Sequence, residues 1–322
     1  MKLTRESEID PTPLEGKRVT VVGYGNQGRA QSLNLKDSGI DVVVALREGS
    51  ASRAEAEAAG LDVQPLVEAV AAADVVMLLA PDETLAGVYY QIEPHIRPAA
   101  ALGFSHGLVV HFDVLKPRGD LDVFLLAPKG PGTALRSLYR DGKGMVALWA
   151  VAQDATGSAE AIALAYGRAI GCARAGLLQS SFEEEAVADL FNENAVVWGG
   201  VPELLRAGFE ILVDAGISPE VAYMECVGEL RLLSELIEAR GIAGMREVIS
   251  NTAELGAVVG GPKVVGDAVR QQMLGVLASV RSGDFARRLS DEAASGYPEL
   301  RAARASARAL PLEAAFNRLR QL

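Results

Sequence analysis

Cysteine is almost missing from this 322-residue chain: Cys172 and Cys226 stand alone, with neither a C-x-x-C pair nor zinc-site spacing. That excludes a disulfide scaffold and makes a reducing cytoplasm the expected home. Basic charge is also short, with 31 Lys and Arg against 42 Asp and Glu, a net charge of −11. Such a balance argues against a general nucleic-acid or anionic-membrane surface. Long apolar runs are absent; the best, Val75 to Ala80, reads as a buried strand rather than a membrane span. The opening Met1-Lys2-Leu3-Thr4-Arg5-Glu6 lacks the apolar centre of a signal peptide, so none is expected. No repeat or low-complexity tract occurs. What remains, 49% apolar and 23% charged residues, is a globular composition long enough for two cores.

The pattern changes once along the chain. Up to about residue 180, β-rich runs alternate with helical stretches. Lys17 to Val22, Val42 to Leu46, Val75 to Ala80, Ala100 to Phe104 and Val123 to Ala127 read as strands. Helices are expected from about Gln27 to Asp37, Ala51 to Ala59 and Leu66 to Ala72. This alternation implies a parallel sheet covered on both faces. From Phe182 onward the period is 3.6, through Pro202 to Ala215, Pro219 to Glu238 and Lys263 to Arg281, so the second domain is expected to be all-helical. The boundary is placed in Gly171 to Ser181, giving domains 1–181 and 182–322.

Directly after the first of these strands comes Gly23-Tyr24-Gly25-Asn26-Gln27-Gly28, opening a helix. The first glycine makes the turn, the second lets a pyrophosphate approach the backbone, and the third lets helix and strand pack closely. In this strand–turn–helix context the motif predicts dinucleotide binding on a Rossmann-type doubly wound sheet. The second strand ends in Arg47-Glu48-Gly49-Ser50-Ala51-Ser52-Arg53, where NAD enzymes usually carry an acid for the ribose. Arg47 and Arg53 can pair with a 2′-phosphate, and Ser50 and Ser52 can donate to it, which favours NADPH. Glu48 turned inward would instead serve the ribose of NADH.

Four acids stand out in the helical half: Asp189 and Glu193 in D-L-F-N-E, and Glu225 and Glu229 in E-C-V-G-E. Each pair is spaced i, i+4 and so lies on one helix face. Two facing helices carrying such pairs would form a cage of hard oxygen ligands suited to Mg²⁺. Solvated faces of an acidic protein are the alternative; the nucleotide-binding half upstream favours the cage. Glu183, Glu184 and Glu185 read as a solvated helix N-terminus, although Glu185, one turn before Asp189, could instead support the metal ligands from behind.

Together these segments resemble the ketol-acid reductoisomerase (acetohydroxy-acid isomeroreductase) family in its short form. The resemblance runs through G-Y-G-N-Q-G-R-A, L-R-E-G-S, Pro81-Asp82-Glu83, Ser105-His106-Gly107 and Ala127-Pro128-Lys129-Gly130-Pro131-Gly132. It continues through D-L-F-x-E, E-C-x-x-E-L and Ala243-Gly244-Met245-Arg246 to Ser250-Asn251-Thr252-Ala253-Glu254. It implies an NADP(H)-dependent oxidoreductase and isomerase of branched-chain amino-acid biosynthesis. Two Mg²⁺ ions would bind an acetohydroxy acid such as 2-acetolactate, an alkyl group would migrate, and NADPH would reduce the resulting 2-keto group to a 2,3-dihydroxy acid. Asp189 would bridge the metals, with Glu193 on one and Glu225 and Glu229 supplied by the partner subunit of a homodimer or higher assembly. Glu229 would also relay a proton, beside catalytic His106 and Lys129. Ser250 would bind the substrate carboxylate, unless it only caps the following helix. Gly23 to Gly28, Pro81, Asp82 and Gly132 would line the cofactor site.

The departures touch the organic pocket. Trp198 stands where members carry a small cysteine, so an indole would fill space meant for the substrate's alkyl groups unless it packs as core. Thr133, Gly228, Glu247 and Leu255 also replace the family's usual residues. The alternatives are a diverged NADPH-dependent reductase acting on another 2-keto or imino acid, and a non-enzymatic nucleotide sensor, which would have no need of four clustered acids.

Overall fold

Side chains that can only lie in an apolar interior set the centre of the sheet. Val75, Val76 and Met77 are fully buried and Leu78 nearly so; each such side chain contributes about 1.5–3 kcal/mol on leaving water. The computed structural model describes residues 2–321. The strands are β1 (Leu3–Thr4), β2 (Arg18–Val22), β3 (Asp41–Leu46), β4 (Asp62–Pro65), β5 (Val75–Leu78), β6 (Ala101–Phe104), β7 (Asp122–Pro128), β8 (Ala147–Gln153) and β9 (Leu177–Gln179). Among the described residues they form one sheet, ordered β1-β9-β8-β7-β6-β5-β2-β3-β4. β2 is the switch point: Val19 pairs with Val42 on one side and Val75 on the other, both parallel. From β2 the chain winds outward first through β3 and β4, then through β5, β6 and β7. This is the doubly wound order, which opens a ligand crevice at the carboxyl ends of β2 and β5.

The expected α/β fold is therefore present, but the sheet is mixed. β8 runs antiparallel to β7, and β1 antiparallel to β9. Exposed or half-buried positions alternate irregularly in β4 and β8, so these strands lack the continuous apolar signature of the central ones.

The helices of this half are α1 (Asn26–Asp37), α2 (Arg53–Ala58), α3 (Leu66–Ala71), α4 (Asp82–Ile92), α5 (Leu108–His111), α6 (Gly132–Arg140) and α7 (Ala159–Ala169). They are followed by α8 (Phe182–Ala195), α9 (Gly200–Asp214), α10 (Pro219–Tyr223), α11 (Leu230–Arg246), α12 (Asn251–Val264), α13 (Asp267–Arg281), α14 (Asp284–Ala294), α15 (Pro298–Arg308) and α16 (Pro311–Leu319). The chain divides into the units Met1–Ala188 and Asp189–Leu322, so the division falls inside α8. Two expected helices are interrupted. Lys263 to Arg281 breaks at Val265 and Gly266, where Gly266 is extended and Pro262 has already removed a donor from the end of α12. Pro219 to Glu238 passes through a π-helical turn, Met224–Gly228.

The second unit has little interior of its own. Phe209, Ala222 and Ala315 form its small buried cluster, with Tyr223, Cys226 and Leu312 against it. Ile211, Leu255, Val258 and Val259 are all about half exposed or more. No described helix is long and apolar enough to cross a membrane.

Candidate functional site

The glycine turn after β2 is built main chain on main chain. Gly23 has φ +103°, and a Cβ there would lie 2.8 Å from the Leu79 carbonyl oxygen. A Cβ on Gly28 would lie 2.4 Å from the Gly23 oxygen, whereas one on Gly25 would meet nothing within 4 Å. The first and third glycines are thus required by the fold, while the second faces open space where a diphosphate could approach. Gly25 is extended at the N-cap of α1, whose first turn carries no acid; its unpaired amides and the helix dipole favour an anion. The Tyr24 hydroxyl is buried without a hydrogen-bond partner, and burial raises its pKa. An open approach, free helix amides and an orphaned hydroxyl fit a dinucleotide.

The Pro-Lys-Gly-Pro-Gly loop after β7 is docked onto this turn. The Gln27 side-chain amide donates to the Gly130 carbonyl at 2.9 Å, and the Thr133 amide donates to Asn26 Oδ1 at 3.0 Å. A Cβ on Gly132 would sit 2.0 Å from the Asn26 oxygen. Pro81 ends the connection from β5 and caps α4, which begins at Asp82.

The loop after β3 is exposed at Arg47 and Glu48 and half-buried at Ser50 and Ser52. Ser52 precedes α2 without capping it through its side chain. Arg53 points elsewhere: its Nη1 donates to the Val63 carbonyl at 3.0 Å and to Glu57 at 3.1 Å. Of the two arginines expected to read a 2′-phosphate, Arg47 is the one this loop presents.

Loops after β6 and β7 meet at α8. His106 Nδ1 accepts from the Leu108 amide at 3.1 Å, so Nε2 carries whatever proton or ligand the ring presents. Lys129 Nζ donates to Glu185 Oε1 at 2.7 Å, and the Gly107 amide donates to Glu185 Oε2, also at 2.7 Å. Glu185 is 1% exposed, which overturns its reading as part of a solvated charge run; Glu183 and Glu184 are exposed as expected. Both its oxygens are engaged, satisfying a charge that would otherwise be costly to bury. The structure favours the alternative reading of Glu185, for which its i, i+4 spacing to Asp189 was the signal in the sequence. Glu185, Asp189 and Glu193 form one stripe along α8, and His106, Glu185 and Asp189 offer ligand atoms within 4.8 Å of one another. It is the one such group among the described residues.

Glu225 and Glu229 lie outside that group and are exposed. Glu225 lies within the π turn and Glu229 directly follows it; such turns are frequent at functional sites. Ser250 caps α12, accepting from the Ala253 amide at 3.2 Å. Its hydroxyl hydrogen is not used in that bond. Trp198, in the turn between α8 and α9, is 67% exposed and is not a core residue of this chain.

A doubly wound sheet with a glycine cradle, a lysine and a histidine on loops after its strands and acids on α8, defines the class of Rossmann-fold oxidoreductases. Residues 13–176 match the acetohydroxy acid isomeroreductase NADPH-binding domain, and residues 182–322 the ketol-acid reductoisomerase C-terminal domain. The chain belongs to the ketol-acid reductoisomerase family. An NADH-preferring ketol-acid reductoisomerase from an uncultured archean superposes with a TM-score of 0.97 at 40% identity, over 100% of this chain and 99% of that one. Two more distant structures share the fold alone. A putative oxidoreductase from Jannaschia sp. matches with TM-score 0.63 and 19% identity, over 82% of this chain and 97% of that one. A semialdehyde dehydrogenase NAD-binding protein from Cupriavidus necator matches with 0.63 and 18%, over 83% and 99%.

Proposed function

We propose that this protein is a Mg²⁺-dependent ketol-acid reductoisomerase that converts 2-acetolactate-type acetohydroxy acids to 2,3-dihydroxy acids with NADPH. The observation that carries the reading is the acidic stripe Glu185, Asp189 and Glu193 beside Lys129 and His106. A hard-oxygen donor set of this kind suits Mg²⁺. Asp189 and Glu193 would hold the metal from α8, with Glu225 and Glu229 supplied across a homodimer interface. Their exposure in one chain, and the apolar side chains left uncovered in the second unit, support that assembly. Bound Mg²⁺ would supply Lewis acidity toward the hydroxyl and ketone oxygens of the substrate.

The remaining work falls to the chain. In the first step the alkyl group leaves C2 and bonds to C3, while the C2 hydroxyl loses its proton and the C3 oxygen gains one. Glu229 relays that proton. Ser250, already fixed as a helix cap, donates its hydroxyl hydrogen to the substrate carboxylate. Lys129 is held by Glu185 and delivers positive charge to the reacting oxygens. For the second step, a dinucleotide with its diphosphate at the turn Gly23 to Gly28 would supply the hydride that reduces the new C2 ketone, with a proton taken up on its oxygen. Arg47, Ser50 and Ser52 would bind a 2′-phosphate and so would favour NADPH. The NADH preference of the archean relative makes this loop the place to test it.

Trp198 favours a second reading. An exposed indole beside α8 fits a reductase whose pocket takes a different 2-keto or imino acid. The deciding assay is NADPH oxidation with 2-acetolactate, with and without Mg²⁺, and with 2-keto-3-hydroxyisovalerate in parallel. Mg²⁺-dependent turnover of both is expected. Reduction of the second compound alone would replace the isomeroreductase with the reductase.

A further inference from the structure

Gln31 is a polar side chain fully buried within α1, and every hydrogen it offers can be assigned. Gln27 donates an amide hydrogen to the Gly130 carbonyl, which fixes the orientation of its amide, and its Oε1 accepts from Gln31 Nε2 at 3.0 Å. Ser105 donates to the Leu126 carbonyl at 2.9 Å, so its oxygen must accept as well, again from Gln31 Nε2 at 3.0 Å. That commits both hydrogens of the Gln31 amide. Its Oε1 accepts from the Tyr166 hydroxyl at 2.8 Å. Tyr166 is itself fully buried on α7, and desolvation pushes its pKa well up, which keeps it a donor.

Two of the three branches end at loops and the third at a helix. One reaches Gln27 in the glycine turn and, through it, Gly130 beside Lys129. Another reaches Ser105, the neighbour of His106. The third runs back to α7 behind the sheet. A saturated buried network of this kind specifies one arrangement of its members, because any local shift strands a polar group without water.

We propose that Gln31, oriented by Tyr166, is a positioning residue that sets the dinucleotide turn, the His106 loop and the Lys129 loop in register with one another. The inference rests on reading Gly23 to Gly28 as the dinucleotide cradle. Gln31→Met keeps the volume and removes both donors, whereas Tyr166→Phe removes only the hydroxyl. Three quantities are measured, well below the melting temperature of each variant. They are NADPH Kd by fluorescence titration, and kcat and KM for 2-keto-3-hydroxyisovalerate. Gln31→Met is expected to raise Kd at least five-fold and lower kcat at least ten-fold, with KM changed less than two-fold; Tyr166→Phe moves Kd and kcat in the same directions by about three-fold. A structural residue would change only the melting temperature. Wild-type Kd and kcat in both variants would overturn the proposal, and if Gln31→Met does not fold, Tyr166→Phe decides alone. If the wild-type protein reduces neither substrate, the proposed reaction fails, while the NADPH titrations still decide the role of Gln31.

Discussion

Gly132→Ala tests the cradle through a single methyl group. The new carbon would lie 2.0 Å from the Asn26 carbonyl oxygen, 2.6 Å from its carbon and 2.7 Å from Oδ1. Ordinary contact needs well over 3 Å, and the obstructing atoms are mostly main chain, so the two loops must separate by about 1 Å or more. Two hydrogen bonds span the gap, Gln27 to Gly130 and Thr133 to Asn26. At about 0.5–1.5 kcal/mol each, their loss is worth about 1–3 kcal/mol. If that loss falls on the bound geometry, the NADPH dissociation constant rises by about 5- to 150-fold. Displacing Lys129 by the same distance costs up to about 100-fold in turnover. Fluorescence titration with NADPH and steady-state kinetics read the two effects separately. A variant that binds NADPH and turns over as the wild type does would refute the argument, because the loops would then yield at no cost.

Arg47→Ala should lower kcat/KM for NADPH by about 10-fold, the low end for a charge-assisted contact at an exposed site, and leave NADH unchanged; equal loss with both cofactors would remove Arg47 from 2′-phosphate recognition. Glu185→Gln leaves a group that can still accept from Gly107 but cannot neutralise Lys129. Because the lysine side chain is 32% exposed, the stability loss should be about 1–3 kcal/mol rather than that of a fully buried pair, with kcat down by more than 10-fold, as read by denaturant melts and turnover. Trp198→Cys should speed turnover of acetohydroxy acids if the indole narrows the pocket, and unchanged kinetics would place Trp198 outside it. Burial pushes the Cys172 thiol from 9.0 up to about 12, so it stays neutral where the unfolded chain ionises. The stability this gives is full below pH 9 and is lost as pH rises toward 12. Melts should therefore fall across that window less steeply in Cys172→Ala, and a thiol reagent at pH 8 should label Cys226 but not Cys172.

The sequence made the central sheet legible because β2, β3 and β5 are buried on both faces and read as unbroken apolar runs. β8 and β9 escaped that reading. β8 ends in exposed Val151 and Ala152, and its antiparallel pairing is a tertiary choice that no local pattern encodes. The glycine motif gave the turn but not its docking to Gly130, Gly132 and Thr133, a contact across more than 100 residues. In the helical half the 3.6 period located helical segments, but not the break at Val265 and Gly266 or the π turn at Met224–Gly228, and it located buried faces poorly. Leu255 and Ile211 are apolar and helical yet 66% and 68% exposed, because period reports what a face can bury, not what covers it. Glu185 was obscured by its neighbours: three consecutive acids look solvated, and only the fold turns one of them inward.

The contacts around Gly23, Gly28 and Gly132 divide recognition into two kinds of inheritance. Where atoms meet as backbone on backbone, a side chain larger than hydrogen has no room, so the turn and its docked loop can change little without being rebuilt. The stretch from Arg47 to Ser52 owes little to its neighbours, so its residues can be exchanged without reopening the cradle. On the proposed reading, a choice between NADPH and NADH could therefore be altered through a few exposed side chains without rebuilding the turn that would hold either dinucleotide.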